Sequence, residues 1–356
     1  MPRLGYSLLL ALGALASVAL GQMPAPIVVP GPPPVTTGPE WDGMAAVVPD
    51  FNSYPSYRCE DWGCCKQWWC ETWYSQIELL TLARNNQPQE RVLVQTGSGT
   101  PVLSSSDLGA GLAPGISTML GHRLDGLTAI ELTYFGANQW NTERSVARTA
   151  DLSLPGQLGA NLNDFHLANV MQVSLRSQWH NAEVNYFHDL QKISVIAGFR
   201  FINWQEQLLI HATDSDLDQS DYQVRLSNNL LGGQIGARVA QYYRGLDLEA
   251  TYKAGLFGNQ ATQAQTVTDL NGTSLVRNVA ATNGTVAFVS DVNLSAVCPL
   301  TQKWRMRGGF NLFYLSSLAL AANQLDFSDQ PGSGRRVRQD SSALLYGFNI
   351  GLEALW

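Results

Sequence analysis

The stretch LDLEATYKAGL, Leu246–Leu256, alternates apolar and polar side chains along its whole length. One face carries Leu248 and Tyr252, and the other carries Glu249 and Lys253. A period of two is typical of a β-strand with two unlike faces. Strands of soluble proteins usually have about five or six residues, whereas a tilted strand that crosses a membrane needs ~9–11. The stretch therefore predicts a membrane-spanning strand.

The same alternation recurs from about residue 72 to the end of the chain, and we expect the apolar faces to meet lipid. It predicts an all-β fold, a transmembrane antiparallel up-and-down β-barrel of about ten strands over residues 72–356. The strands are expected near 73–84, 115–123, 127–138, 170–187, 193–210, 228–242, 246–258, 283–297, 302–318 and 343–356.

One segment leaves the strand count open. Between residues 170 and 187 the apolar residues change from odd positions, such as Met171 and Val173, to even positions, such as Val184 and Tyr186. Such a change indicates a β-bulge or a turn near residues 177–181. A turn would raise the strand number from ten towards twelve.

The connections between the predicted strands alternate between short and long. Outer-membrane barrels have short periplasmic turns and long outer loops in this order. Both ends of the barrel would then lie on the periplasmic side. The long outer loops are expected at residues 85–114, 139–164, 211–227, 259–281 and 321–342.

Composition excludes some partners. The net charge is −7, and Asp, Glu, Lys and Arg make up 14% of the chain, against about 25% in an average soluble domain. Nucleic acid is excluded because the chain has no basic footprint to contact phosphates.

The first 71 residues differ from the rest. Residues 1–21 have the pattern of a secretory signal peptide, and the Pro-rich residues 22–40 are typical of a semi-rigid spacer. Residues 41–71 form a Cys/Trp-rich segment that we expect in the periplasm. Its cysteines could form disulfides, remain free thiols or bind a metal, and Cys298 makes the total odd. The four cysteines of this segment are Cys59, Cys64, Cys65 and Cys70.

Several short motifs resemble a known family. They are Trp73–Leu80, Ala182–Asn185, Ala197–Phe201, Arg305–Leu315 and the closing Gly351–Glu353. In this order they are similar to the β-barrel porin family of planctomycete outer membranes, the seventh of its series. The resemblance implies an outer-membrane barrel over residues 72–356 and implies little about cargo.

The predicted inward face collects charged residues of both signs. They could line a selective pore or pair with one another and fill a narrow lumen. The mixed signs favour neutralisation over strong ion selectivity. These lumen-lining candidates are Glu131, Arg200, Glu206, Arg238, Asp247, Glu249, Lys253, Asp291, Arg305, Arg307 and Glu353.

One acidic loop resembles a calcium motif. Asp214, Asp216 and Asp218 begin like an EF-hand loop, but Gln219 stands where glycine is needed and Arg225 where the bidentate glutamate should be. The pattern predicts a solvated acidic loop, with a weak divalent-cation site as the alternative. We expect no resident metal or cofactor.

No nucleophile or metalloprotease motif occurs in the chain, so the sequence predicts a protein that is not an enzyme, with a barrel-embedded hydrolase as the third alternative. The first function predicted is a bacterial outer-membrane porin for small solutes. The second is a structural or cell-surface anchoring barrel without an open pore.

The end of the chain predicts how the barrel is assembled. The last strand ends in an aromatic residue, which suggests that Phe348 and Trp356 form an assembly signal. Expected partners are the lipid bilayer with its lipopolysaccharide and the barrel-assembly machinery. Association with further copies of the chain stays open.

Overall fold

The computed structural model describes residues 72–87, 90–109, 111–162, 164–190 and 193–356. The predicted signal peptide, spacer and Cys/Trp-rich segment lie outside the described residues. The strands are β1 Trp73–Gln87, β2 Val92–Thr96, β3 Pro101–Ser104, β4 Leu112–Arg123, β5 Thr128–Ser153, β6 Ala168–Leu190, β7 Ile193–Thr213, β8 Gln219–Tyr243, β9 Leu246–Asp269, β10 Ser274–Pro299, β11 Trp304–Leu318 and β12 Ser341–Leu355. Two short helices, α1 Gly156–Asn161 and α2 Ala321–Gln324, and a 3₁₀ turn at Ser105–Asp107 complete the structure of these residues.

Ten of these strands close a ring. Sequence neighbours pair antiparallel from β6 to β12, β12 pairs with β1, β1 with β4, β4 with β5, and β5 with β6. The other two strands, β2 and β3, form a hairpin that joins the far end of β5 through Gln95 and Ser153. The predicted antiparallel β-barrel is confirmed, with ten strands in the ring and twelve in the sheet.

Of the two alternatives predicted near residues 177–181, a bulge and a turn, the turn is wrong, because β6 is one continuous strand. The irregularity lies on the neighbouring strand, where Ala137 of β5 has a positive φ of 58° and the register shifts between Gly136 and Asn138. The two strands beyond ten come instead from the β2–β3 hairpin, which lies in the first predicted outer loop.

The apolar residues change face because the surroundings of the barrel change with height. On β8, Leu231 and Ile235 face outward and are 64% and 72% exposed. Further from the chain termini, Tyr222 and Val224 of the same strand face inward and are buried. We call the part with an apolar exterior the lower barrel and the part with an apolar interior the upper barrel. The chain termini of the ring, at Trp73 and Trp356, lie at the lower end.

An apolar belt surrounds the lower barrel. Every ring strand contributes at least one large exposed apolar side chain, as expected for a barrel whose outer surface meets hydrocarbon. A closed ring also leaves no unpaired strand edge inside the membrane. The lower barrel therefore has the features of a membrane-spanning segment. Belt residues, one for each ring strand, are Leu79, Leu120, Leu132, Tyr186, Phe199, Ile235, Leu248, Leu294, Met306 and Ile350.

None of the helices in the described part of the chain is long and apolar enough to cross a membrane.

Most of the predicted outer loops are extended strands. β5 continues to Ser153, β8 already begins at Gln219, and only Leu270–Thr273 separate β9 from β10. The outward faces of these extensions are polar, so the sequence lacks the lipid-facing alternation that indicated strands elsewhere. The long connection between β11 and β12, residues 319–340, has little regular structure and folds into the upper barrel. We call it the closing loop.

Candidate functional site

All of the charged lumen candidates point into the barrel. They lie on β5 and on every strand from β7 to β12, at positions where the alternation turns the side chain inward. Glu131, Arg200, Glu206, Glu249, Asp291, Arg307 and Glu353 are buried, and Arg238, Asp247, Lys253 and Arg305 are half-buried.

A first network joins four strands near the middle of the lumen. The ammonium of Lys253 lies 2.5 Å from Glu183 Oε1 and 3.7 Å from Asp291 Oδ1. The guanidinium of Arg200 forms an ion pair with the other oxygen of Asp291. Glu183 was not among the predicted lumen residues, although its alternation with Ala182 and Val184 would have placed it inward.

A second network is centred on Arg307. Its guanidinium lies 2.6 Å from Glu249 Oε2, 3.1 Å from Glu353 Oε2 and 3.6 Å from Glu78 Oε1. Arg305 adds a contact of 3.5 Å with the second oxygen of Glu353. Glu78 was also missed, although it alternates with the exposed Ile77 and Leu79 on β1.

A third network lies near the lower end of the lumen. Arg238 donates through both terminal nitrogens to the two carboxylate oxygens of Glu131, each at 3.1 Å. The hydroxyl of Tyr74 donates to the same carboxylate at 2.9 Å. The Arg238 guanidinium also lies 4.3 Å from the ring centre of Phe187, which is a cation–π contact.

The three networks surround a small cavity of about 110 Å³. A single water needs roughly 10–15 Å³ measured in this way, so the cavity has room for a small cluster of waters and for no large solute. Its walls include Glu131, Glu183, Lys253, Asp291 and Arg307.

The lumen carries nearly balanced charge. Bringing an ion out of water costs several kcal/mol, which pairing offsets only with good geometry. The inward set includes eight carboxylates and six cations, and the contacts above join most of them. This geometry fits a lumen filled by paired charges better than an open pore lining. The set is Glu78, Glu131, Glu183, Glu206, Asp247, Glu249, Asp291 and Glu353, with Arg84, Arg200, Arg238, Lys253, Arg305 and Arg307.

Above the networks, a layer of buried apolar side chains crosses the lumen. We call this layer the septum. Its centre is aromatic, with Trp179 5.0 Å from Phe313 and 5.4 Å from Phe135, and Trp204 6.1 Å from Trp140. All ten ring strands contribute to it, so opposite walls of the barrel meet. Its residues are Leu80, Leu82, Ala113, Phe135, Trp140, Trp179, Ile202, Trp204, Leu230, Phe257, Ala287, Val289, Phe313, Leu315, Leu318, Leu320, Ala343 and Leu345.

Glu206 connects the barrel wall to the closing loop. One oxygen of its buried carboxylate pairs with Arg84 and accepts a 3.1 Å hydrogen bond from the Trp204 indole N–H. The other oxygen accepts a 2.6 Å hydrogen bond from the backbone N–H of Ala321. Arg84 is the third inward charge that sequence reasoning missed, because it lies at the end of the first predicted strand.

The closing loop is held further up by Asp326. Its backbone N–H donates to the Tyr222 hydroxyl at 2.9 Å, and its backbone carbonyl accepts from Arg277 at 2.6 Å. Burial raises the pKa of the Asp326 carboxyl, but hydrogen bonds from Ser328 and from the Gly334 N–H, together with Arg277, bring that pKa below its ordinary value. The carboxylate therefore stays ionised and stabilises the turn of the loop.

The acidic loop gathers a different set of carboxylates from the one predicted. Oxygens of Asp214, Asp218 and Asp164 lie within 4.8 Å of one another. The backbone of Asp216 donates to Asp214 instead, at 2.8 Å. Asp164 already accepts hydrogen bonds from the Ser220 hydroxyl and another backbone N–H. The divalent-cation site stays a prediction.

The last residue closes the lower end of the ring. Trp356 and Trp73 exchange two backbone hydrogen bonds of 2.9 Å, and their rings stack at 6.1 Å. Trp73 stacks in turn on His122 at 4.3 Å. The Trp356 side chain is 55% exposed, and Phe348 on the same strand is 65% exposed in the belt.

No family model matches the chain, and no curated protein does. Among solved structures, the outer membrane protease OmpT from Escherichia coli is 11% identical, with a TM-score of 0.43 over 80% of this chain and 97% of that chain. The translocator domain of the autotransporter NalP from Neisseria meningitidis is 10% identical, with a TM-score of 0.39 over 84% and 94%. A Pseudomonas aeruginosa FadL homologue is 9% identical, with a TM-score of 0.31 over 80% and 90%.

Proposed function

We propose that this chain is a bacterial outer-membrane β-barrel with a closed lumen, and that it acts as a structural or cell-surface anchoring protein. The observation that carries the proposal is the septum, in which buried apolar side chains from all ten ring strands meet across the lumen. Small barrels are filled by their own side chains, whereas open aqueous channels are typical of about sixteen or more strands.

The outer membrane is proposed from three features. The apolar belt meets lipid, residues 1–21 read as an export signal, and the motifs resemble the planctomycete barrel family. In such a membrane the partners are lipid, lipopolysaccharide and the barrel-assembly machinery. The predicted periplasmic residues 22–71 would then lie on the cell side, and the upper barrel would extend into the medium.

The upper barrel supports an anchoring role. It is a folded body with its own core, in which Leu158, Phe165, Val173, Ile210 and Leu325 are buried together. A pore does not require a folded body with its own core above the membrane, whereas a surface protein requires a stable one. We infer that the membrane-spanning part holds this body at the cell surface.

Planar-bilayer recording of the purified full-length protein tests the proposal. We expect no stable unitary conductance. Protease protection of the incorporated protein verifies that it has inserted into the bilayer. A double variant, Trp204→Ala with Phe313→Ala, removes two septum rings and should raise the frequency of current steps. Phe199→Ala, which removes a lipid-facing ring, is the matched control and should stay silent. A steady conductance of the unmodified protein would contradict the proposal.

The second candidate is a porin for small solutes. It is favoured by the charge-lined cavity below the septum. This cavity has a volume of about 110 Å³ and has room for water. This function requires the closing loop and the septum to move together. Steady, solute-dependent conductance of the unmodified protein in the same recordings would favour it.

A further inference from the structure

The strand β10 extends well beyond its neighbour β11. β9 pairs with β10 from Ser274 down to Val297. On the other side, β11 pairs with β10 only from Val289 onward, where Val289 lies opposite Leu315. In the part of the chain that the structure describes, no strand lies against this other side of residues 274–288. Here β10 is the edge of the sheet.

The direction of the edge groups follows from one contact. Phe288 donates its backbone N–H to the Ser316 hydroxyl at 2.9 Å, and its carbonyl accepts from the same hydroxyl at 3.2 Å. The backbone of Phe288 therefore points towards the β11 side. Residues two apart in a strand point the same way. The next five such residues, with five N–H and five C=O groups directed to the open side, are Asn278, Ala280, Thr282, Gly284 and Val286.

Nothing in the sequence protects this edge. Natural edge strands are commonly guarded by lysine, proline or a covering element. Residues 274–288 contain neither residue type, and their single charge, Arg277, turns inward to the backbone carbonyls of Asp326 and Ser328. At Gly284 an added Cβ would meet no atom within 4 Å.

The edge from Asn278 to Gly284 lies in water, because its outward side chains are small or polar, whereas Val286, 66% exposed, lies at the upper rim of the apolar belt. Thr282 pairs with Thr262 of β9, and both are exposed on the outer face above the apolar belt. An open edge is not tolerated in hydrocarbon, but in water its backbone groups can hydrogen-bond to solvent until a partner strand binds. The side chains beside it are small, so another backbone can approach closely.

We propose that the edge Asn278–Val286 is a docking site for an extended peptide segment of another protein, which adds to the sheet as an antiparallel strand next to β10. Main-chain hydrogen bonds provide the affinity in this mode of recognition. The exposed side chains favour a partner strand with small, uncharged residues. The proposal goes beyond the anchoring function and does not depend on whether the lumen is closed.

A second copy of the chain is a poor occupant of the edge. Two barrels inserted in one membrane with the same orientation point their β10 strands in the same direction. The antiparallel ladder that β10 forms with β9 and β11 therefore cannot form between two β10 edges. A free segment from another protein can adopt either direction.

The test uses the full-length protein in lipid nanodiscs and a labelled synthetic peptide with the sequence NQATQAQTVT. This is Asn259–Thr268 of β9, the segment that already pairs antiparallel with β10 on its other side. Fluorescence polarisation measures binding, and residue-resolved amide hydrogen exchange reports on β10. In the free protein, Ala280, Thr282 and Gly284 should exchange at least about tenfold faster than their neighbours bonded to β9, and the peptide should slow them.

Two variants and one modified peptide separate edge pairing from general adhesion. Thr282→Pro removes an N–H that faces the open side and breaks no backbone hydrogen bond to β9, so it should weaken binding at least about tenfold. It also removes the 3.2 Å hydroxyl contact with Thr262 of β9, which Thr282→Ala removes as well. Thr282→Ala keeps the N–H and should bind normally. The same peptide with alternate amides N-methylated should not bind. The proposal is wrong if the amide exchange rates along β10 do not alternate in the free protein, or if the peptide fails to bind. It is also wrong if Thr282→Pro and Thr282→Ala bind the peptide equally well, or if the N-methylated peptide binds as well as the unmodified one.

Discussion

The carboxylate of Glu206 on β7 accepts a hydrogen bond from the backbone N–H of Ala321 in the closing loop, at 2.6 Å. Its other oxygen is paired with Arg84 on β1, and both side chains are only 1% exposed. A single buried ion pair thus ties two walls of the barrel to the segment that fills its upper part. The position of the loop therefore depends on the charge of the wall beneath it.

The first prediction concerns this ion pair. Glu206→Ala leaves Arg84 buried without its carboxylate and removes the acceptor of the Ala321 N–H. Breaking one partner of a buried pair typically costs about 3–5 kcal/mol. We expect a loss of that order in the free energy of unfolding, measured by urea titration in lipid vesicles, and faster protease cleavage within residues 325–340.

The double variant Arg84→Met with Glu206→Leu is the control for this prediction. Replacing both charges with apolar groups of similar size is often neutral, so most of the unfolding free energy should return. The Ala321 hydrogen bond stays lost, and loop cleavage should remain faster than in the unmodified protein. Equal losses of stability in the single and double variants would contradict the ion-pair explanation.

A second prediction concerns the septum. Trp204→Ala removes a fully buried ring that contacts Trp140 and Trp179. Aromatic-to-alanine changes in a packed core cost about 3–5 kcal/mol. Phe199→Ala, on the same strand but 69% exposed in the belt, should cost much less. Urea unfolding followed by far-ultraviolet circular dichroism compares the two, and similar losses would mean that the septum is not tightly packed.

The barrel and the inward direction of its charges could be predicted from the sequence, because both depend only on alternation. Arg305 and Arg307 alternate with Trp304 and Met306, so their direction follows once the apolar face is assigned to lipid. The partners of these arginines could not be predicted. Glu249 and Arg307 are 58 residues apart in the chain, and their contact depends on the width and stagger of the closed ring.

The sequence pattern predicts loops where much of the upper barrel has strands, for a physical reason. The prediction assumes lipid outside the barrel along its whole height, whereas above the belt the outside is water and the inside is apolar. Met171 and Val173 of β6 therefore point inward like Glu183 below them. The same inversion explains why the polar, outward-facing Gln260 and Thr262 lie beyond the predicted strand at 246–258, although β9 continues to Asp269.

A third prediction concerns the end of the chain. β12 pairs with β1 on one side and β11 on the other. Deleting Phe348–Trp356 would leave both neighbours with open edges in hydrocarbon, where each unpaired backbone group costs several kcal/mol. We expect no folded form of the truncated protein in the membrane fraction. Heat-modifiable mobility on gels distinguishes the folded barrel from the unfolded chain in that fraction. Trp356→Phe keeps an aromatic ring and should insert normally.

The last prediction tests the inversion itself on one face of one strand. Leu248 and Thr262 both point outward from β9, Leu248 within the apolar belt and Thr262 above it. Leu248→Arg places a charge in hydrocarbon and should cost up to ~2–4 kcal/mol near the midplane of the membrane. Thr262→Arg places the same charge in water and should change the unfolding free energy by less than ~0.5 kcal/mol. Both are measured by reversible unfolding in lipid vesicles. A barrel that was apolar outside along its whole height would lose stability in both variants, and a soluble barrel would tolerate both. Only a change of surroundings between these two positions gives a large loss at Leu248 and almost none at Thr262.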